Sequence, residues 1–247
     1  MAALKVGIPL YTNFDSLDVL GPYQTFTYAG MDLYLVAQSP DLVTSFEGVS
    51  ILPRATFTKQ PPSERYPQID VCPQLDILFV PGGSAPYAVL QVGHPGSNPY
   101  LDFLIQQAPR CQLVCSVCTG ALLLAGAGLL DGHIVTTHWA FKDVLRLFPV
   151  KVVDDYRRYV QSSNRITGAG ISSGLDLALY IVSLIYNVEV ARQGQLAMQY
   201  NPQPAFHCGD PCDSDIKDNP EMVAERMTEW HVEQVRINVQ QWIERRS

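Results

Sequence analysis

The chain has 247 residues, 47% of them hydrophobic and 17% charged, with a formal net charge of −7 at pH 7. That length supports one full core plus an appendage, and the acidic balance leaves no basic footprint for nucleic acid. Apolar runs are broken well short of about 18 residues, which argues against a membrane span. Met1-Ala2-Ala3-Leu4-Lys5 runs straight into a strand pattern, so the cytosol is the expected compartment.

In chain order, residues 4–10 read as a strand and 17–29 as a helix opened by Gly21-Pro22. A strand over 31–38 follows, then a short one over 49–52 and a Pro-, Ser- and charge-rich surface loop over 59–74. Residues 75–80 form a buried strand ending in Pro81-Gly82-Gly83, and 98–108 read as helix. The strand over 112–117 runs into a helix behind Cys118, which stops between Gly126 and Gly132. Short strands are expected at 134–137, 151–153 and 159–161, with 138–147 helical between them. Ile166-Thr167-Gly168-Ala169-Gly170 closes a strand before helices over 172–186 and 188–200. An irregular segment over 201–219 precedes one last amphipathic helix over 220–245. Strands separated by helices and short Gly/Pro turns predict an α/β architecture, a mostly parallel sheet with helices on both faces. In such folds the site lies at the carboxyl edge of the sheet.

The stretch Val114-Cys115-Ser116-Val117-Cys118-Thr119-Gly120 is the most telling. It puts Cys118 on a tight strand-to-helix turn, where free N–H groups of the following helix lower a thiol pKa and can hold an anion. This is how an α/β protein presents a nucleophile, on the pattern of the nucleophile elbow; the same pattern also fits a small, inert buried cysteine. Six cysteines in such a chain read as free thiols rather than a disulfide framework. Cys115 and Cys118 have CxxC spacing, but Cys115 falls inside the strand. Further zinc ligands would have to come from His207, Cys208 and Cys212 in a Pro-rich acidic segment, so no metal site is expected.

Four strand ends point to the same edge. Phe14 to Pro22, including Asp15 and Asp18, follows the first strand, and Gly82-Gly83 follow another, where backbone N–H groups can approach an oxyanion. Cys118-Thr119 and Gly168-Ala169-Gly170-Ile171 complete the set. Asp18 alone also fits a helix N-cap, Asp15 is a rival acid, and His138 at a strand end fits either a contact behind the site or a structural cap.

Ser116-Val117-Cys118-Thr119-Gly120-Ala121, Ala127-Gly128-Leu129-Leu130-Asp131-Gly132 and Thr136-Thr137-His138-Trp139-Ala140 together resemble the ThiJ/PfpI superfamily of class I glutamine amidotransferase-like proteins. Leu17-Asp18-Val19-Leu20-Gly21-Pro22, Val80-Pro81-Gly82-Gly83, the run Thr167 to Asp176 and Gln199-Tyr200-Asn201-Pro202-Gln203-Pro204-Ala205-Phe206 are similar to its isonitrile (isocyanide) hydratases. The resemblance covers nearly all of residues 4–210 and is more specific for fold and nucleophile than for the hydratase. It implies a flavodoxin-like three-layer sandwich over 1–200, with the segment and helix of 201–247 packed on it. It further implies a homodimer, no metal or organic cofactor, and a small-molecule electrophile as partner. Cys118 would be the nucleophile, Asp18 the acid within reach of its sulfur and Thr119 an orienting group. Gly82, Gly83, Ile171 and His138 would line the substrate and oxyanion region. Thr119 stands where the family's proteases and amidotransferases carry a histidine, which counts against peptidase activity. The regulators' C-terminal DNA-binding domain has no counterpart in the acidic tail.

On that resemblance the expected reaction is hydration of an isocyanide to an N-substituted formamide through a thioimidate on Cys118, with Asp18 as general acid and base. Glyoxalase-type dicarbonyl hydration, or another small-electrophile lyase or isomerase, is the enzymatic alternative. A cysteine redox sensor is the non-enzymatic one. Asp176 is expected on its own helix surface or at a dimer partner, Tyr200 and Phe206 along the pocket or the tail, and Thr167 in a structural role. Cys208-Gly209-Asp210-Pro211-Cys212 and the 59–74 loop depart from the hydratase pattern.

Overall fold

A computed structural model describes residues 3–61, 69–217 and 219–245. The elements run β1 (Lys5–Pro9), α1 (Ser16–Tyr28), β2 (Asp32–Ala37), β3 (Val43–Thr44), β4 (Ser50–Ile51), β5 (Ala55–Thr56), β6 (Asp70–Val71) and β7 (Ile77–Val80). Then come α2 (Pro86–Gln91), α3 (Pro99–Gln107), β8 (Leu113–Ser116), α4 (Gly120–Gly126), β9 (Ile134–Val135), α5 (Lys142–Leu145), β10 (Lys151–Val152), β11 (Tyr159–Ser162) and β12 (Arg165–Gly168). Helices α6 (Ser173–Ile185), α7 (Val188–Ala197), α8 (Ser214–Lys217), α9 (Pro220–Glu229) and α10 (Val232–Glu244) follow.

The central sheet has the order β11-β12-β8-β7-β1-β2-β5-β6 and is parallel except for β11, which runs antiparallel to β12. β7 and β8 are buried along their whole length, which is why they read as continuous apolar runs rather than alternating ones. From β1 the chain crosses to β2 on one side, whereas from β7 it crosses to β8 on the other. Right-handed crossovers therefore put α1 and the α2–α3 pair on opposite faces. Accordingly α1, α6 and α7 pack together, while α2, α3, α4, α5 and α10 pack together. The connections diverge between β1 and β7, which opens the crevice where an α/β sheet binds its ligand.

Several local readings change. Pro22 does not open the first helix; it lies inside α1, which starts at Ser16 with Asp15 as its cap. The Asp15 carboxylate accepts from Leu17 N at 3.0 Å and Asp18 N at 3.4 Å, so a side-chain cap sets the start where a proline signal was expected. Residues 138–147 are a 3-10 turn, Trp139–Phe141, followed by the short α5. The 59–74 excursion ends in the edge strand β6, and its residues 62–68 lie outside the described residues. The last helix is two helices. His231 takes left-handed angles (φ 50°) and breaks the run into α9 and α10. α10 packs on α2 and α5, buries Trp242, and donates the Trp242 indole N–H to Gly93 O at 3.3 Å.

Candidate active site

All four of the expected strand ends are stitched together by main-chain bonds before any side chain is considered. Val117 N donates to Val80 O at 3.1 Å, Cys118 N to Ala169 O at 2.8 Å and Asp15 N to Gly82 O at 2.9 Å. Phe14 and Gly83 pair as an isolated bridge. The approach is close enough that a Cβ on Gly82 would lie 2.5 Å from Thr119 N and 2.8 Å from Cys118 Cβ.

Cys118 sits at φ 55°, a left-handed conformation that a non-glycine residue holds only where the surroundings enforce it. The Ala169 carbonyl on its N–H and the Thr137 hydroxyl, which donates to Cys118 O at 2.7 Å, do so here. The thiol is almost fully buried. Burial and the Asp18 carboxylate push its pKa well up, while hydrogen bonds from the Thr119 and Ile171 backbone N–H groups pull it down. Those two amides stabilise a thiolate and not a thiol, so they mark the sulfur as an anion-holding position.

Asp18 lies in the first turn of α1 with no exposed surface. Its Oδ2 accepts from Gly82 N at 2.8 Å, and its Oδ1 is buried without a formed hydrogen bond. Burial first, then the Asp15 charge, raises its pKa well above the carboxylate range; the Gly82 amide and the nearby Cys118 thiol work against that rise. The Asp18 carboxylate thus hinders ionisation of the thiol, whereas the thiol favours an ionised Asp18, so the two titrations are coupled. Asp15, the rival acid, is occupied as the cap, and burial with Glu47 nearby raises its pKa as well.

The Gly82 and Gly83 amides were expected to face an oxyanion, but in this geometry both are already engaged. Gly82 N holds Asp18, and Gly83 N donates to Thr119 Oγ1 at 3.0 Å while that hydroxyl donates back to Gly83 O at 2.9 Å. With its proton committed, Thr119 keeps one lone pair, so it can accept from a water but not donate to a substrate. Gly83 and Thr119 still line the cavity, and the free donors at the sulfur come from Thr119 and Ile171.

His138 lines the same cavity and packs on Gly170, where a Cβ would meet its Cδ2 at 2.6 Å. Its Nδ1 accepts from Ala140 N at 3.3 Å, which assigns the ring proton to Nε2. Burial lowers its pKa to about 4, so the ring is neutral near pH 7. The other residues of interest lie apart. Asp176 pairs with Arg158 and accepts from Tyr200 Oη at 3.0 Å, tying α6 to β11's entry and the tail. Phe206 is exposed, and Thr167 Oγ1 accepts from Thr136 N at 2.8 Å. Cys208 and Cys212 are exposed free thiols in a turn fastened by Asp213, whose Oδ2 accepts from Asp210 N at 3.0 Å. Among the described residues no cluster of three or more His, Cys, Asp or Glu side chains could hold a metal. Nor is any described helix long and apolar enough to cross a membrane.

The cavity over Cys118 has a volume of about 350 Å³. Besides the expected residues, it is walled by Phe46 from the β3–β4 hairpin, Phe141, and Glu229, Trp230 and His231 from the α9–α10 break. None of these was singled out from the sequence. The one available signal was the Trp230-His231 pair in the middle of an otherwise even helical pattern.

Residues 4–184 match the model of the DJ-1/PfpI family. The chain belongs to that family. It is 35% identical over 210 residues to the isonitrile hydratase of Pseudomonas putida, covering 85% of this chain and 84% of that protein. The crystal structure of a ThiJ/PfpI family protein from Pseudomonas syringae superposes with a TM-score of 0.81 at 30% identity, over 98% of this chain and 91% of that one. The Drosophila melanogaster DJ-1beta structure shares the fold alone, with a TM-score of 0.67 at 18% identity over 81% of this chain and 100% of its own. The flavodoxin-like sandwich expected from the sequence is the fold observed.

Proposed function

We propose that the protein hydrates an isocyanide to an N-substituted formamide without a cofactor. The observation that carries this reading is a fully buried carboxyl, Asp18, fixed by Gly82 N at 2.8 Å beside a buried sulfur that receives two backbone N–H groups. The similarity to an isonitrile hydratase over most of both chains supports it. The reacting form is Cys118 as thiolate and Asp18 as neutral acid, reached by transfer of the thiol proton to the Asp18 carboxylate. The sulfur attacks the terminal carbon of R–N≡C, and Asp18 delivers its proton to that carbon, leaving a thioimidate, R–N=CH–S, and an Asp18 carboxylate. Asp18 then takes a proton from water as the hydroxide adds to carbon, and passes it to nitrogen. Collapse of R–NH–CH(OH)–S expels the Cys118 thiolate and returns the hydroxyl proton to Asp18, releasing R–NH–CHO. The lone pair left on Thr119 Oγ1 holds the attacking water. His138 is neutral, its shift arises from burial alone, and its Nδ1 is spent on the Ala140 cap, so it is a wall and not a base.

The test is formamide formation, followed by mass, from a panel of aryl and alkyl isocyanides with Cys118→Ala and Asp18→Ala alongside. Turnover in the wild type that both variants abolish is the expected result. No turnover of any isocyanide, with conversion of methylglyoxal to lactate, would replace the reading with dicarbonyl hydration.

A further inference from the structure

The wall of the Cys118 cavity is aromatic on its outer side. Phe46, Phe141, Trp230 and the neutral His138 ring line it, with Trp230 edge-on to His138 at 5.1 Å between centroids and an interplanar angle of 78°. Trp139 backs Trp230 at 5.7 Å. Trp230 is the last residue of the α9 turn, its N–H donating to Arg226 O at 3.0 Å, and the left-handed His231 turns the chain away behind it. The indole is thereby delivered over the site by a break in the helix, while Trp242 anchors the following helix to the core.

Charge in this space is one-sided. Asp15 and Asp18 are buried at its base, and Glu47 lies beside Asp15, accepting from Ser16 N at 3.2 Å. Among the described residues neither lysine nor arginine lines the cavity, and Arg226 is paired with Glu229 at the end of α9. An anionic substrate would meet the Asp15 carboxyl, with Glu47 behind it, in a cavity whose described lining holds no lysine or arginine. The volume of about 350 Å³ is roughly twice the ~150 Å³ that encloses a benzene, so one ring with a short reactive arm fits.

We infer that Trp230 is a specificity-determining residue: it forms the face on which an uncharged, ring-bearing electrophile stacks while its reactive carbon reaches Cys118, and carboxylate-bearing analogues are turned away. This rests on the proposed reaction for its natural substrate, but not for its test, which reads the thiol directly.

The experiment measures second-order alkylation of Cys118 by intact mass at pH 7.5 in a Cys208→Ser, Cys212→Ser background, which removes the two exposed thiols, with rates normalised to those of free glutathione. The probes are N-phenyl, N-methyl and N-(4-carboxyphenyl) chloroacetamide. In the wild type the phenyl probe is expected to react about 10-fold faster than the methyl probe and the carboxyphenyl probe about 10-fold slower than the phenyl one. Trp230→Ala should erase the phenyl advantage while changing the methyl rate less than 2-fold, and Trp230→Phe should keep most of it. Glu47→Gln should narrow the carboxylate discrimination. Equal phenyl and methyl rates in the wild type would overturn the inference, as would a uniform loss across all probes in Trp230→Ala. Running phenyl and tert-butyl isocyanide in parallel separates the two readings. Failure of both isocyanides, with the phenyl preference intact, sinks the hydratase and leaves the wall; turnover of both with equal kcat/KM in Trp230→Ala and wild type does the reverse.

Discussion

Replacing Asp18 by asparagine separates what the carboxyl does for the reaction from what it costs the fold. The side chain has no exposed surface, one oxygen held by Gly82 N at 2.8 Å and the other without a formed hydrogen bond. An amide of the same shape keeps the Gly82 bond through its oxygen and turns an N–H₂ donor toward the Cys118 sulfur. An unpaired buried polar atom costs about 1–3 kcal/mol, so Asp18→Asn should be more stable by that amount at pH 7. For a chain of this size that corresponds to a rise in Tm of roughly 2–12 °C. The sign with pH follows from the raised pKa of the folded-state carboxyl. Wild-type stability falls as pH rises above the unfolded value of about 3.9, so the variant's advantage is present at pH 7 and vanishes near pH 3. Removing the carboxylate also removes the second-largest influence raising the thiol pKa, so the midpoint of the iodoacetamide rate–pH profile of Cys118, read by peptide mapping apart from the exposed Cys208 and Cys212, should move to lower pH. Turnover should nonetheless drop by about 10²–10⁴, the usual worth of a positioned acid–base group. An Asp18→Asn protein with an unshifted alkylation midpoint, or with lower stability at pH 7, would refute the coupling of Asp18 to the thiol.

Gly120→Ala would place a Cβ 2.3 Å from Val80 O and 2.8 Å from Pro81 O, both backbone atoms that no rotamer change can move; a loss of ~3 kcal/mol is expected in urea unfolding. Thr119→Val leaves the Gly83 N–H and carbonyl without their partner and should cost about 1–3 kcal/mol, while Thr119→Ser restores both bonds and the stability. His138 is held neutral with its pKa near 4, so protons bind the unfolded chain preferentially between pH 4 and about 6.5. Stability should therefore fall with decreasing pH across that window by on the order of 3 kcal/mol, and thermal melts of His138→Phe should show a flatter acid slope.

What was legible in the sequence is what short-range chemistry dictates. The strand–Cys–Gly turn at 115–120 demands a tight backbone, and the structure shows why: Gly120 and Gly82 lie where a Cβ would strike main-chain atoms of the neighbouring turn. The mostly parallel sheet followed from strands separated by helices and short Gly/Pro turns. The roles of Asp15 and Asp18 were separable only in space, because both sit at a helix start and either suits a cap. Tertiary packing decides between them by burying Asp18 against Gly82 and leaving Asp15 to hold Leu17 N.

The PGG turn shows the same limit in another form. Its glycines do bring amides to the edge, but whether an amide faces substrate or protein depends on the side chain opposite, and here Asp18 and Thr119 claim both. The outer wall was illegible for a different reason. Helical periodicity runs through 220–245 with apolar positions on either side of Trp230, and a single residue in the left-handed region leaves no mark on that pattern. Glycine and asparagine signal such a break most often, and a single histidine inside an even helical pattern is a weaker sign. The break costs backbone strain that an uninterrupted helix would avoid. What the strain secures is the position of Trp230 over Cys118, and a feature of that kind is set by the long-range anchoring of Trp242 on Gly93 rather than by anything local to the turn.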